Sequence, residues 1–224
     1  YGPVAIGGIF AAVTLLQAAL LGKGFVPFFD LVGIILNLRL LNFKTRSLDN
    51  HKHKTVRSQL DFVPAIILTI GLLGAGFASA GVSYGVLQKT LYEGAAKIPP
   101  NPSDYGNDKA FFMEFFAMAF YYVFLHQSVM LGVGISHISI LSGFYMTAMQ
   151  ALGYDISSAA FNFVYWLTVN TIGFHAHFWQ GWWVYVAASA ATVGLVWAVN
   201  RIVFWLYNKA IKYDHQLQAK LQTD

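Results

Sequence analysis

The chain has no cysteine, which excludes disulfides, thiolate metal ligands and thiol catalysis. Charge is scarce too: Asp, Glu, Lys and Arg make up 11% of the 224 residues, where a soluble domain carries about 25%. The apolar segments contain no paired carboxylates, and no glycine-rich phosphate loop occurs. No self-contained catalytic set is therefore visible, and no residue is expected to be catalytic or to bind a cofactor or metal on its own. The formal net charge of +4 is spread over short connections. It calls for no nucleic-acid partner, because Lys and Arg beside a membrane set topology. What is abundant is apolar surface, with 57% hydrophobic and 17% aromatic residues. At roughly 20 apolar residues per crossing, such a chain has room for six or seven membrane spans and no sizeable domain outside them.

The stretch Leu141 to His177 shows this most clearly, with Asp155 its one acid and no Lys or Arg. An unpaired polar group in hydrocarbon costs several kcal/mol, so its small polar residues Ser142, Thr147, Gln150, Asn162 and Asn170 are expected to face protein.

Taken in order, Tyr1 to Gly22 is uncharged and long enough to cross once. Phe25 to Phe43 is expected to cross next, with Asp30 and Arg39 near an interface or against another chain. The dense run Lys44 to Arg57 carries Lys44, Arg46, Lys52, Lys54 and Arg57 against Asp49, which places it on the inner side. Phe62 to Leu87 is rich in glycine, alanine and serine and is expected inside a bundle, where small residues let backbones approach. A proline-bearing outer loop with Pro99, Pro100 and Pro102 follows. The next crossing, Ala110 to Leu131, holds Glu114, expected to be solvated near the outer end with a buried contact as the alternative, and His126 deeper in. His137 to Tyr154 is expected to cross again. Ser157 to Leu206 is too long for one span and is expected to make two passes joined near His175 to Gly181. That total of seven leaves one tension: the tail with Lys209, Lys212 and Lys220 then faces outward, against the charge rule.

The histidine pairs His51/His53 and His175/His177 are expected to be structural, since side chains two apart on a helix point away from each other. Trp179, Trp182 and Trp183 read as an interfacial aromatic belt.

Several motifs carry a resemblance. Leu141-x-Gly143-x-Tyr145-x-Thr147-x-x-Gln150-Ala151-x-x-Tyr154, followed by Gly173-Phe174-His175-x-His177, resembles the fifth and sixth helices of cytochrome c oxidase subunit III. Asn37, Arg46 and His51-Lys52-His53-Lys54-Thr55-Val56 look like that family's second-helix end and its following loop. His126-Gln127-Ser128-Val129 resembles the run closing its fourth helix. His177-Phe178-x-Gln180-x-x-Trp183 looks like its seventh-helix motif, so two alignments claim His177. The family's buried glutamate of the third helix has no counterpart, because Phe62 to Leu87 holds no acid.

The resemblance implies an all-α polytopic membrane bundle of six or seven transmembrane helices, the first two splayed from the rest. Residues 1–43 would form a two-helix arm, 58–207 the main bundle and 208–224 a polar tail, all within one membrane domain. It implies a non-catalytic subunit of an enzyme complex that braces oxidase subunit I beside the other oxidase subunits and supports respiratory electron transport and proton uptake. Haem a and copper would lie in the partners, with no cofactor on this chain. Structural phospholipid would fill a V-shaped cleft, with Arg46, His53 and Arg57 as headgroup contacts. Gly143, Tyr145, Thr147, Gln150, Tyr154, His126, His175 and His177 would serve helix packing or the subunit interface. The implied location is the mitochondrial inner membrane, or a bacterial plasma membrane.

Two rival readings stand beside it. Ser157-Ser158-Ala159-Ala160-Phe161-Asn162 and Trp183-Val184-Tyr185 resemble the second half of an aquaporin-type channel, although Asn-Pro-Ala is absent and Val26-Pro27-Phe28 lacks the asparagine. The other is a scaffold subunit of a different respiratory or photosynthetic complex.

Overall fold

The computed structural model describes residues 3–21, 27–38, 60–86, 106–157, 159–173 and 181–221. Among them are seven helices and no strand: α1 (Pro3–Leu21), α2 (Leu31–Leu36), α3 (Phe62–Val86), α4 (Asn107–Met130), α5 (Ile135–Ser157), α6 (Phe163–Gly173) and α7 (Trp182–Leu221). Leu38 and Leu60 meet in one isolated bridge.

Local chemistry sets the boundaries. Pro3 opens α1, where a missing amide donor costs least. Asp30 caps α2 by accepting the Gly33 N–H at 3.0 Å. Asp108 lies in the first turn of α4, where an acid suits the helix dipole. Beyond its other end Gly132 takes φ +70°, a left-handed conformation that stops the helix cheaply. α7 begins after Gly181, at φ +77°.

Length sorts the helices into two kinds. α3 and the Trp182–Leu206 part of α7, 25 residues each, are long and apolar enough to cross a membrane; each extends about 38 Å against a hydrocarbon core of about 30 Å. α2, of 6 residues, and α6, of 11, extend about 9 and 16 Å and cannot cross. The expected crossing over Phe25 to Phe43 is thus replaced, in its described part, by a helix of under two turns. The two passes expected from Ser157 to Leu206 become one short helix and one long one.

α1 lies along α5, α4 packs on α5 and α7, α3 on α6, α2 on α3 and α7, and α6 on α7. α1 is therefore not splayed away. A Cβ on Gly7 would sit 2.4 Å from the Gly143 carbonyl oxygen, and one on Gly143 would sit 2.7 Å from that of Gly7. Only glycine at both positions allows this crossing. The main core gathers Val32, Met118, Tyr122, Leu125, Met146 and Phe161 where α2, α4, α5 and the entrance to α6 converge.

α3 corrects another expectation. Phe62, Val63, Ile67, Ile70 and Val82 are exposed, and only the stripe with Gly76 meets α6, at Val164 and Thr168. An open apolar face of this extent belongs against lipid or protein, not water.

The order long, short, long occurs twice, as α1–α2–α3 and α5–α6–α7. The packing repeats with it. α1 pairs with its counterpart α5; α3 packs on α6 as α7 packs on α2; and each short helix touches the long helix after it. This exchange of partners is an internal two-fold arrangement, with α4 between the two sets.

Candidate functional site where the two short helices meet

The short helices share one construction. Asp30-Leu31-Val32 opens α2 and Asn162-Phe163-Val164 opens α6. Asn162 Oδ1 accepts the N–H groups of Val164 at 2.8 Å and Tyr165 at 3.1 Å, capping α6 as Asp30 caps α2. Near the far end of each, an asparagine amide donates back to the carbonyl four residues earlier: Asn37 to Gly33 at 2.8 Å, Asn170 to Trp166 at 2.7 Å. The segment entering each is held by a glutamine from the long helix before it. Gln17 accepts the Phe28 N–H at 2.7 Å and donates to the Phe28 carbonyl, while Gln150 donates to the Ala159 carbonyl at 2.6 Å.

The two entrances are joined directly. Asn162 Nδ2 donates to the Phe29 carbonyl at 2.7 Å, linking the residue that caps α6 to the residue before the cap of α2.

Glu114 supports the α6 entrance from α4. Its carboxylate accepts the Ala160 N–H at 3.1 Å and the Phe161 N–H at 2.6 Å. The residue is 0% exposed, so it is not solvated at an interface: two backbone donors replace the water it gives up. The segment it holds is strained, with Ala159 at φ +47° and Phe161 at φ +44°. A left-handed conformation costs a residue bearing a Cβ roughly 1–2 kcal/mol, and the Glu114 and Gln150 bonds offset that cost. Tyr185 adds a further tie, its hydroxyl donating to the Ser157 carbonyl at 2.9 Å.

Aromatic rings close around the junction. Phe29 stacks on Tyr122 at 5.8 Å between centroids and meets Phe10 and Tyr121 edge-on at 5.0 and 5.3 Å. The Tyr122 hydroxyl donates to Asp30 Oδ1. Asp30 is buried, and its other oxygen, Oδ2, meets no partner.

Of the expected packing residues, Gly143 lies against Gly7, Tyr145 donates to the Ala117 carbonyl at 2.8 Å, and Thr147 donates to the Gly143 carbonyl at 3.0 Å. Gln150 belongs to the junction. His126 is buried on α4 and Tyr154 is exposed. Arg46, His53, Arg57, His175 and His177 lie outside the described residues. The small polar residues expected to face protein do so: Ser142 is buried, and Thr147, Gln150, Asn162 and Asn170 are hydrogen-bonded within the chain. Sequence reasoning missed Gln17, Asp30 and Tyr122 as parts of one site.

Among the described residues no group of three His, Cys, Asp or Glu is placed to hold a metal ion. The site offers hydrogen-bonding groups held in fixed backbone directions. No family model, curated protein or solved structure matches the chain.

Proposed function

We propose that this chain is a membrane channel of the aquaporin type, strongly divergent in sequence. In this reading α1, α3, α4, α5 and α7 cross the membrane, while α2 and α6 enter it from opposite sides and meet near its middle. The observation that carries the reading is the Asn162–Phe29 junction between two helices too short to cross. Backbone that stops inside a bilayer is tolerated only where protein or a cavity satisfies its polar groups. Asp30, Asn162, Gln17, Gln150 and Glu114 do so at both entrances. Broken helices meeting at the interface between repeats, near the bilayer midplane, are the parts from which solute paths are built. Of the residues that resemble the aquaporin second half, Ala159, Ala160, Phe161 and Asn162 belong to this junction, and Tyr185 of the resembling Trp183-Val184-Tyr185 run is hydrogen-bonded to Ser157 just before it.

Charge supports the same arrangement. With two of the seven helices re-entrant, the basic run Lys44 to Arg57 and the tail bearing Lys209, Lys212 and Lys220 fall on one side, as the positive-inside rule requires. Seven crossings would divide them between the two sides.

The oxidase-subunit reading rests on Arg46, His53, Arg57, His175 and His177, which lie outside the described residues; Gly143, Tyr145 and Gln150 have partners within this chain, as helix packing in either reading requires.

Osmotic shrinkage of liposomes containing the purified protein, followed by stopped-flow light scattering with impermeant and small neutral osmolytes, tests the proposal. Water or small-solute flux above that of protein-free vesicles is expected. Equal rates would overturn it, and haem a and copper co-purifying with the native protein would favour the oxidase reading.

A further inference from the structure

Five polar side chains from four helices or their caps meet in the core, beyond what the junction needs. Asp30 precedes α2, Tyr121 and Tyr122 lie on α4, Thr14 on α1 and Ser142 on α5, and all are buried, at 0–3% exposure. The Tyr122 hydroxyl bonds to Asp30, and the Tyr121 hydroxyl sits beside Ser142 and Thr14. The two tyrosine rings contact each other edge-on at 5.2 Å. Two atoms in this cluster, Asp30 Oδ2 and Ser142 Oγ, have no hydrogen-bond partner. A buried polar atom without a partner is costly, and a carboxylate in hydrocarbon costs most of all.

The Asp30 carboxyl is also lopsided. Oδ1 accepts both the Gly33 N–H and the Tyr122 O–H, while Oδ2 accepts nothing. That division matches the neutral acid, in which one oxygen is a carbonyl acceptor and the other bears a hydrogen. A metal cation would need several anionic or carbonyl oxygens around it, and among the described residues no group of three His, Cys, Asp or Glu is placed to hold one. The group that fits is a proton.

We propose that Asp30 is a proton-binding site in the membrane core, with Oδ2 the atom that takes the proton and the hydroxyls of Tyr122, Tyr121, Ser142 and Thr14 its polar surroundings. A hydronium ion gives up its proton, an O–H bond forms at Oδ2, a water molecule is released and the side chain passes from charged to neutral. The site stands whether or not a solute crosses the chain. The titratable groups facing Asp30 are Tyr121 and Tyr122. Of the other elements packed on α2, α3 carries only Tyr84 between Phe62 and Val86. The crossing part of α7 carries Tyr185, beside Glu114, and Arg201, whose guanidinium lies over the Trp197 ring at 5.3 Å.

Infrared difference spectra of the full chain in lipid nanodiscs, recorded during pH titration, test this. A protonated buried carboxyl gives a C=O stretch apart from the carboxylate and amide bands. The wild type is expected to show a pH-dependent component that is lost in Asp30→Asn and kept in Glu114→Gln, the other buried acid among the described residues. Asp30→Asn retains an acceptor in the place of Oδ1, so it preserves the Gly33 and Tyr122 bonds. Superimposable wild-type and Asp30→Asn spectra across the titration would overturn the proposal. Should Asp30→Asn not fold, Tyr122→Phe removes the donor on Oδ1 and is expected to shift the component, and an unshifted band would overturn it equally.

Discussion

Replacing Glu114 by alanine should destabilise the protein more than any other single change in the junction. The substitution strands two backbone donors, the part-buried N–H of Ala160 and the buried N–H of Phe161. Leaving one buried donor unpaired costs about 1–3 kcal/mol, so the pair amounts to about 2–6 kcal/mol before any cavity is counted. The bonds also hold Ala159 and Phe161 in left-handed conformations, so their loss should free the segment and fray the start of α6. Glu114→Gln keeps one acceptor and should show about half the loss. The assay is reversible unfolding in mixed micelles, followed by tryptophan fluorescence. Trp166 on α6 is a suitable reporter, being buried and stacked on Tyr185 at 5.4 Å. The expected order of stability is wild type, then glutamine, then alanine, with hydrogen exchange rising first at the α6 amides. An alanine variant within about 0.5 kcal/mol of wild type, the range of an ordinary surface change, would refute the reasoning.

Two further predictions concern the helix crossing and the cap. Gly7→Ala drives a Cβ into the Gly143 carbonyl and Thr147, so α1 must shift off α5, while Gly8→Ala meets nothing within 4 Å; unfolding in mixed micelles should show a loss for the first and none for the second. Asn162→Ala removes the α6 cap and the bond to Phe29, a loss of about 2–3 kcal/mol from a cap worth about 1–2 and a hydrogen bond worth about 1. Asn162→Asp keeps the cap acceptors and loses only the donor to Phe29, so the difference between the two variants, measured by the same unfolding, isolates the cap.

Helix type and most helix ends were legible in the sequence. Apolar runs without charge gave α1 and α3 to within two residues at each end, because an uncharged stretch of twenty or more has little else to be; α5 runs two residues earlier and three later than the expected His137 to Tyr154. The short helices were not legible that way. Phe25 to Phe43 is apolar apart from Asp30, Asn37, Arg39 and Asn42, and hydropathy cannot distinguish a span from a buried half-span: both sit in hydrocarbon or protein. Two finer signals were present. Asp30-Leu31-Val32 and Asn162-Phe163-Val164 are matching cap sequences, each with an asparagine seven or eight residues later. The expectation that Lys209, Lys212 and Lys220 face outward was the other, since the proposed half-spans remove that conflict with the charge rule. Glu114 was misjudged because nearness to a helix end says nothing of what folds over that end. Here it is the segment 159–161, whose N–H groups find the carboxylate. The outward lie of α3 was also hidden, because small residues suit close packing but do not compel it.

The most direct test of the account is the side of the membrane on which each connection lies. The absence of native cysteine allows single-cysteine variants Ser47→Cys, Ser103→Cys and Lys212→Cys to be labelled with an impermeant maleimide in sealed, oriented vesicles. With α2 and α6 re-entrant, positions 47 and 212 should react from the same face and position 103 from the other. Labelling of 47 and 212 from opposite faces would contradict the half-span arrangement and restore seven full crossings.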